Sequence, residues 1–114
     1  SDIPDTIDLI PDLIEEYSSN PIGRLATVYC DRFHLADKAL IFGDAAHAIV
    51  PFFGQGMNAS FQDCTVIDSL IKRHNGSWNN VFSEFSNIQV PNGHASAKMA
   101  LEDDIELWDS VKEI

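Results

Sequence analysis

Asp44 and His47 stand three residues apart, and Gly54 and Gly56 follow them ahead of an amphipathic segment. An acid and an imidazole at that spacing suit proton transfer, or the holding of a metal ion together with further ligands. Glycines ahead of a helix suit a different task. The first amides of a helix have no intrahelical acceptor and lie at the positive end of its dipole, and glycine has no Cβ to keep a ligand off the backbone. The connection from Asp44 to Gly56 therefore offers two chemistries, acid–base work and the binding of a phosphate or ring anion. Each has a plainer counterpart. An Asp after a strand commonly caps the next turn, a nearby His commonly bonds backbone, and a glycine loop commonly does no more than start a helix. Phe52 and Phe53 could wall a flat ring or fill a core, and Pro51 keeps Val50 out of the α region, so the connection is extended there.

Spacing narrows these options. A dinucleotide fingerprint, GxGxxG, would need glycine at position 59, which is Ala59, and no Gly-Lys-Ser/Thr occurs. His34, His74 and His94 have no spacing related to Asp44 and His47, so no metal site is expected. There is no G-x-S-x-G, and Ser60 follows no strand, which argues against a serine hydrolase.

The elements that must position these residues are legible around them. Residues 1–21 carry Pro4, Pro11 and Pro21, which allow only short helical turns, from Asp5 to Leu9 and from Asp12 to Tyr17. "GRLATVYCDRF" (23–33) favours a strand, "LADK" a turn, and "ALIF" (39–42) a strand buried on both faces. From Met57 the period changes: Met57, Phe61, Cys64, Ile67 and Ile71 mark one stripe of a helix, widened by Val66 and Leu70. Lys72, Arg73 and His74 suit its C-terminal end, and Asn75-Gly76 a left-handed cap. Ser77 can cap a second helix with Trp78, Val81, Phe82 and Phe85 inward. Pro91 and Asn92 are expected to break the chain before a third helix striped by Leu101, Ile105, Trp108 and Val111.

The bulk composition sets limits on function. A chain of 114 residues makes one domain or part of one. Its net charge of −11 argues against nucleic acid and against a polybasic membrane anchor. Cys30 and Cys64 form no CxxC pair, no apolar run approaches the roughly 20 residues of a bilayer span, and no secretory leader pattern opens the chain. An intracellular, reducing setting is expected.

The run "GDAAHAIVPFFGQGMNASFQDC" resembles the second flavin-contacting motif of the FAD-dependent aromatic hydroxylases: Gly-Asp-Ala-Ala-His, a proline about seven residues past the Asp, then Gly-x-Gly-x-Asn and an Asp entering a helix. Within that family, "AHAIVPFFGQGMN", "CDRFH" and "VPNGHA" are closest to the branch that acts on kynurenine. The resemblance implies an α/β fold, here the C-terminal part of an FAD-dependent hydroxylase with one or two strands followed by about three helices. It divides the chain into the end of a substrate-domain region with a return strand (1–36), a second FAD-contacting segment (37–76) and C-terminal helices (77–114). It implies FAD as cofactor, NADPH as co-substrate, capture of O2 and hydroxylation of an aromatic small molecule.

By the same resemblance Gly43, Asp44, Pro51, Gly54, Gly56, Met57 and Asn58 would bind the cofactor, with Asp44 on a ribityl hydroxyl near the pyrophosphate, Pro51 beside the isoalloxazine, and the amides near Gly56, Met57 and Asn58 at the pyrimidine edge. Phe52, Gln55 and Asp103 would face the substrate, and no residue here is expected to be catalytic in its own right. The family's N-terminal GxGxxG unit is not among these residues, so the chain alone is expected to be inactive and to bind FAD weakly. Two departures bear on the substrate: Gln62 stands where the kynurenine branch usually has Glu, and Glu102-Asp103-Asp104 where it usually has Tyr-Asn-Tyr. A hydroxylase of another aromatic, and a non-catalytic piece that binds a partner without flavin, are the other readings. Eukaryotic members of the branch sit on the mitochondrial outer membrane through a C-terminal segment, which would lie beyond Ile114.

Overall fold

The computed structural model describes residues 9–51 and 54–112. Phe52 and Phe53 fall outside these, as does the expected helical turn at 5–9 except for Leu9. In chain order the elements are α1 (Leu13–Ser19), β1 (His34–Leu35), β2 (Ala39–Leu40), α2 (Asp44–His47), α3 (Gly56–Arg73) and α4 (Trp78–Lys112). The expected order, one or two strands followed by about three helices, is present in β1 to α4.

α3 and α4 form an antiparallel helical hairpin whose connection follows from local chemistry. Asn75 and Gly76 both take positive φ, 50° and 76°. The Gly76 N–H then closes back on the Ile71 carbonyl at 3.1 Å, which satisfies one of the orphan carbonyls at the end of α3. The Ser77 carbonyl accepts the first bond of α4, from the Val81 N–H at 3.0 Å. Across the hairpin, Glu84 accepts from Arg73 Nη1 at 2.5 Å and from the His74 ring. The His74 hydrogen bond, reinforced by the Arg73 guanidinium, holds the Glu84 carboxyl below its ordinary pKa against the opposing effect of desolvation.

The core lies between this hairpin and the segment before it. Phe33, Ala46, Leu70, Val81 and Phe85 are its buried residues, with Cys30, Leu40, Ile67 and Val90 among those packed against them. β1 and β2 pair antiparallel, His34 opposite Leu40 and Leu35 opposite Ala39, around the expected turn at 35–38. The buried Ser86 hydroxyl pins this hairpin to α4 by accepting from the Phe33 N–H at 3.0 Å and meeting His34 Nδ1 at 2.6 Å.

Several expectations are corrected. Residues 23–33 are not a strand: β propensity needs a ladder to act on, and here Val28 bonds the Ala48 carbonyl without a run of neighbours doing likewise. Residues 39–42 are not buried on both faces; only Ala39 and Leu40 pair, and Ile41 and Phe42 reach solvent. The buried face of α3 keeps the later part of the expected stripe, with Val66, Ile67, Leu70 and Ile71 against the core, and departs from it in the first turns. Met57, Phe61 and Cys64 are exposed, while Asp63 and Leu70 are buried and Ala59, Ser60, Val66 and Ile67 are half-buried. Trp78 is half exposed, not inward.

α4 runs unbroken for 35 residues with Pro91 inside it. Proline there removes one bond, to the carbonyl of Asn87, and Asn87 is exposed, so water can take that carbonyl. The face bearing Phe85, Gln89, Gly93, Ala97 and Ala100 stays buried on both sides of the proline, and that tertiary contact outweighs the break.

The molecule is extended, with a radius of gyration of 19.6 Å. A compact domain of this length would have about 13 Å. Among the described residues no helix is long and apolar enough to cross a membrane.

Candidate functional site

The site is organised by a turn that only glycine can make. Gly43 has φ 61° and ψ −147°, a region closed to residues with a Cβ. A Cβ added there would also stand 3.2 Å from Ser60 Oγ. The Gly43 carbonyl starts α2 by accepting from the N–H groups of Ala46 and His47. Its own N–H points the other way and donates to Asp63 Oδ2 at 2.7 Å.

Asp63 is fully buried, at 0% exposure, and both carboxylate oxygens are engaged. Oδ2 accepts from the Gly43 N–H and from His47 Nε2 at 2.6 Å. Oδ1 accepts from Gln89 Nε2 at 2.6 Å, and the Gln89 carbonyl oxygen accepts in turn from Asn92 Nδ2 at 2.8 Å. A buried carboxylate is tolerated when its lone pairs are satisfied in this way. Gly93 completes the enclosure. A Cβ on it would lie 3.1 Å from His47 Cβ and 3.4 Å from the Phe33 ring, so α4 packs directly on these two side chains and leaves no room for a methyl.

The Asp44–His47 pair is therefore divided. His47 turns inward onto Asp63, not onto Asp44 and not onto backbone. Asp44 stays exposed at the first position of α2, and its Oδ1 lies 3.8 Å from the point where a Cβ on Gly56 would stand. The start of α2 and the start of α3 thus face one another across a gap that a side chain on residue 56 would enter.

Beyond α2 the chain has no regular structure up to the exposed Pro51, whose carbonyl accepts from the Gly54 N–H at 3.2 Å. Gly54 takes φ 62° with open space about it. Gln55 is the N-cap of α3; its carbonyl accepts from the Ala59 N–H at 2.9 Å, and its side-chain oxygen from Asn58 Nδ2 at 3.0 Å. The amides of Gly56, Met57 and Asn58 precede that first helical bond and have no acceptor within α3. Asp44, Pro51, Gly54, Gln55, Met57 and Asn58 are all on the open side, with Gly56 half-buried between them.

A cavity of about 250 Å³ lies between this loop and α4, lined by Ile49, Gln55, Ala59, Ser96, Met99 and Ala100. Of the three residues expected to face a substrate, Gln55 lines it. Asp103 is half-buried one turn further along α4 and is not in the lining, and Phe52 is outside the described residues.

Asp63, Gln89 and Gly93 carry the architecture of the site and were not singled out as site residues by sequence reasoning. One signal could have found Asp63. It is the acid between Ser60 and Val66-Ile67 on what proves the inner face of α3, so phasing the stripe on Ser60, Ile67 and Leu70 would have placed a carboxylate in the core.

These features match known proteins. The family model described as FAD binding domain matches residues 6–77. A protein named kynurenine 3-monooxygenase from Myxococcus xanthus is 48% identical over 107 residues, covering 94% of this chain and 23% of the relative. Proteins of the same name from Flavobacterium psychrophilum and Legionella pneumophila are 41% identical over 105 residues and 38% identical over 109, covering 92% and 96% of this chain and 24% of each relative. The chain thus spans about a quarter of the length of the curated relatives it matches.

Proposed function

This chain belongs to the FAD binding domain family, and on that premise we propose that it is the C-terminal, flavin-facing part of a monooxygenase that hydroxylates L-kynurenine to 3-hydroxykynurenine with NADPH and O2. Such a reaction belongs to tryptophan degradation and the supply of pyridine nucleotide. The observation that carries the reading is the opposed pair of helix starts: the Asp44 carboxylate held 3.8 Å from the Cβ position of Gly56, with no side chain between. The names of the relatives supply the substrate.

The residues present fit a flavin in their donor chemistry. Asp44, exposed and acceptor-only when ionised, suits a polyol hydroxyl of the ribityl chain. Gly43 holds it there, because the turn into α2 is closed to other residues. Pro51 and Gly54 offer a flat, unobstructed edge to the ring. The amides of Gly56, Met57 and Asn58, at the positive end of an 18-residue helix, suit an acceptor-rich and negatively charged pyrimidine edge. FAD, when bound, supplies the redox chemistry between NADPH, O2 and the aromatic ring. The chain's own residues orient it and exclude water, with Gln55 and the cavity beside Met99 and Ala100 receiving the aromatic substrate and Asp103 one turn further along α4. The adenosine half of the cofactor is held by residues outside this chain.

The acids at 102–104 favour a second reading, in which the same flavin chemistry serves another aromatic substrate. An intracellular setting suits Cys30 and Cys64, both free thiols. The relatives named above are bacterial and lend nothing to a mitochondrial membrane.

The test is flavin-dependent NADPH oxidation by the full-length protein that carries this chain. Kynurenine should stimulate it, and stimulation by a different aromatic alone would select the second reading. Asp44→Ala should lose bound FAD; full flavin occupancy in that variant would remove Asp44 from the site. The isolated 114-residue chain should not carry flavin through gel filtration.

A further inference from the structure

The proposed flavin turn does not hold itself in place. The position of Asp44 depends on Gly43, the Gly43 N–H is anchored on Asp63 Oδ2, and the other oxygen of that carboxylate is held from α4 by Gln89. We infer that Gln89 is a positioning residue for the flavin site: it fixes the Asp63 carboxylate from behind, and through it sets where the Gly43–Asp44 turn stands against the start of α3. This inference rests on the reading of Asp44 and Gly56 as flavin contacts.

Three features argue for a directional role. Gln89 and Asp63 are 3% and 0% exposed, so no water competes for the bond between them. The Gln89 amide is itself oriented, because its oxygen is taken by Asn92 Nδ2 at 2.8 Å, which leaves its NH2 aimed at Asp63. Both bonds that Asp63 Oδ2 accepts come from the Gly43–His47 segment, so a rotation of the carboxylate away from Gln89 is passed directly to that segment. Removing the Gln89 donor alone leaves one oxygen of a buried carboxylate without a partner, and the carboxylate and the turn it anchors are then less firmly oriented.

Gln89→Met keeps the length of the side chain and removes the donor. In the chain itself, amide exchange at Gly43 should quicken by about tenfold or more relative to the unsubstituted chain. In the full-length protein, FAD should bind about tenfold more weakly. Ser86→Ala is the control: it releases the β1 hairpin from the same helix, so it should lower the melting temperature while leaving Gly43 exchange and FAD affinity unchanged. Should Gln89→Met prevent folding, Asn92→Ala frees the Gln89 amide without deleting it and should shift both readouts in the same direction, by about two- to threefold. Unchanged Gly43 exchange in both variants overturns the inference. Faster exchange with undiminished FAD affinity overturns the positioning role and leaves a structural bond. Faster exchange together with no flavin binding by the unsubstituted full-length protein supports the linkage and refutes the proposed function instead.

Discussion

The two halves of α4 share a helical period and differ in what they meet. From Val81 to Ala100 the inner face is buried, and three polar links tie it down: Ser86 to β1, Gln89 to Asp63, and the His94 ring to the Cys30 carbonyl at 2.9 Å. From Leu101 onward the stripe of Ile105, Trp108 and Val111 is as apolar, yet these three side chains are 56–60% exposed. An apolar stripe says which face of a helix would bury; it does not say that anything covers it. What seats the first half is a set of directional bonds to partners 52, 26 and 64 positions away in the chain, together with a glycine that leaves no room for a methyl against His47 and Phe33.

The contrast can be broken at its strongest point. Asp63→Ala strips the Gly43 N–H, His47 and Gln89 of their common acceptor while leaving them buried, and should cost about 3–5 kcal/mol in urea unfolding. A loss under 1 kcal/mol would mean that the polar seam does not hold α4. Gly93→Ala should come next. In an exposed helix this change stabilises by about 1 kcal/mol. Here the new methyl meets His47 Cβ at 3.1 Å and the Phe33 ring at 3.4 Å, both held in the core, and a net loss of about 1–3 kcal/mol is expected.

A smaller effect is expected from the clamp at the hairpin end. Because His74 and Arg73 lower the Glu84 pKa in the folded chain, the clamp stabilises at neutral pH and its contribution disappears as the pH falls below the ordinary carboxylate range. The difference in melting temperature between the unsubstituted chain and Glu84→Gln should therefore shrink from pH 7 towards pH 3. The exposed Lys98–Glu102 pair on the distal side, at 3.6 Å, should contribute little, and Glu102→Gln should leave the melting temperature at pH 7 nearly unchanged. Smallest of all, Trp108→Ser and Ile105→Ser should each change the stability of this chain by less than about 0.5 kcal/mol. A loss of 2 kcal/mol in either would show that the distal face is covered in solution.

Where structure follows from neighbours in the chain, the amino-acid sequence predicts it well. The end of α3, its Asn75-Gly76 cap, the restart after Ser77 and the turn at 35–38 all rest on interactions within a few residues. The glycines and the Asp of the flavin motif are legible for the same reason, since Gly43 and Gly54 need their positive φ whatever surrounds them. The failures share a cause in distance. Asp63 stands in the quoted motif, but its place in the core shows only once Gly43 and Gln89, 20 and 26 residues away, are brought to it; the inner face of the first turns of α3 then passes through Ser60 and Asp63 instead of Met57, Phe61 and Cys64. Pro91 reads as a break until the continuous contact of Gln89, Gly93 and Ala97 is set against one lost bond. Residues 23–33 have the composition of a strand, but a strand is defined by its neighbour, and composition cannot supply one.

The placement of Asp63 has a consequence in time as well as in space. Its donors flank it along the chain, one segment made before it and the other after it. During synthesis Gly43 and His47 can reach the carboxylate early, but its second oxygen stays hydrated until Gln89 has emerged. Until then, closing Ala46 and Leu70 around it would strand an acid with half its partners, so the core between α2 and α3 should remain open. The last contact to form is the one that lets the interior dry, and the turn at Gly43 becomes rigid only when the far helix arrives.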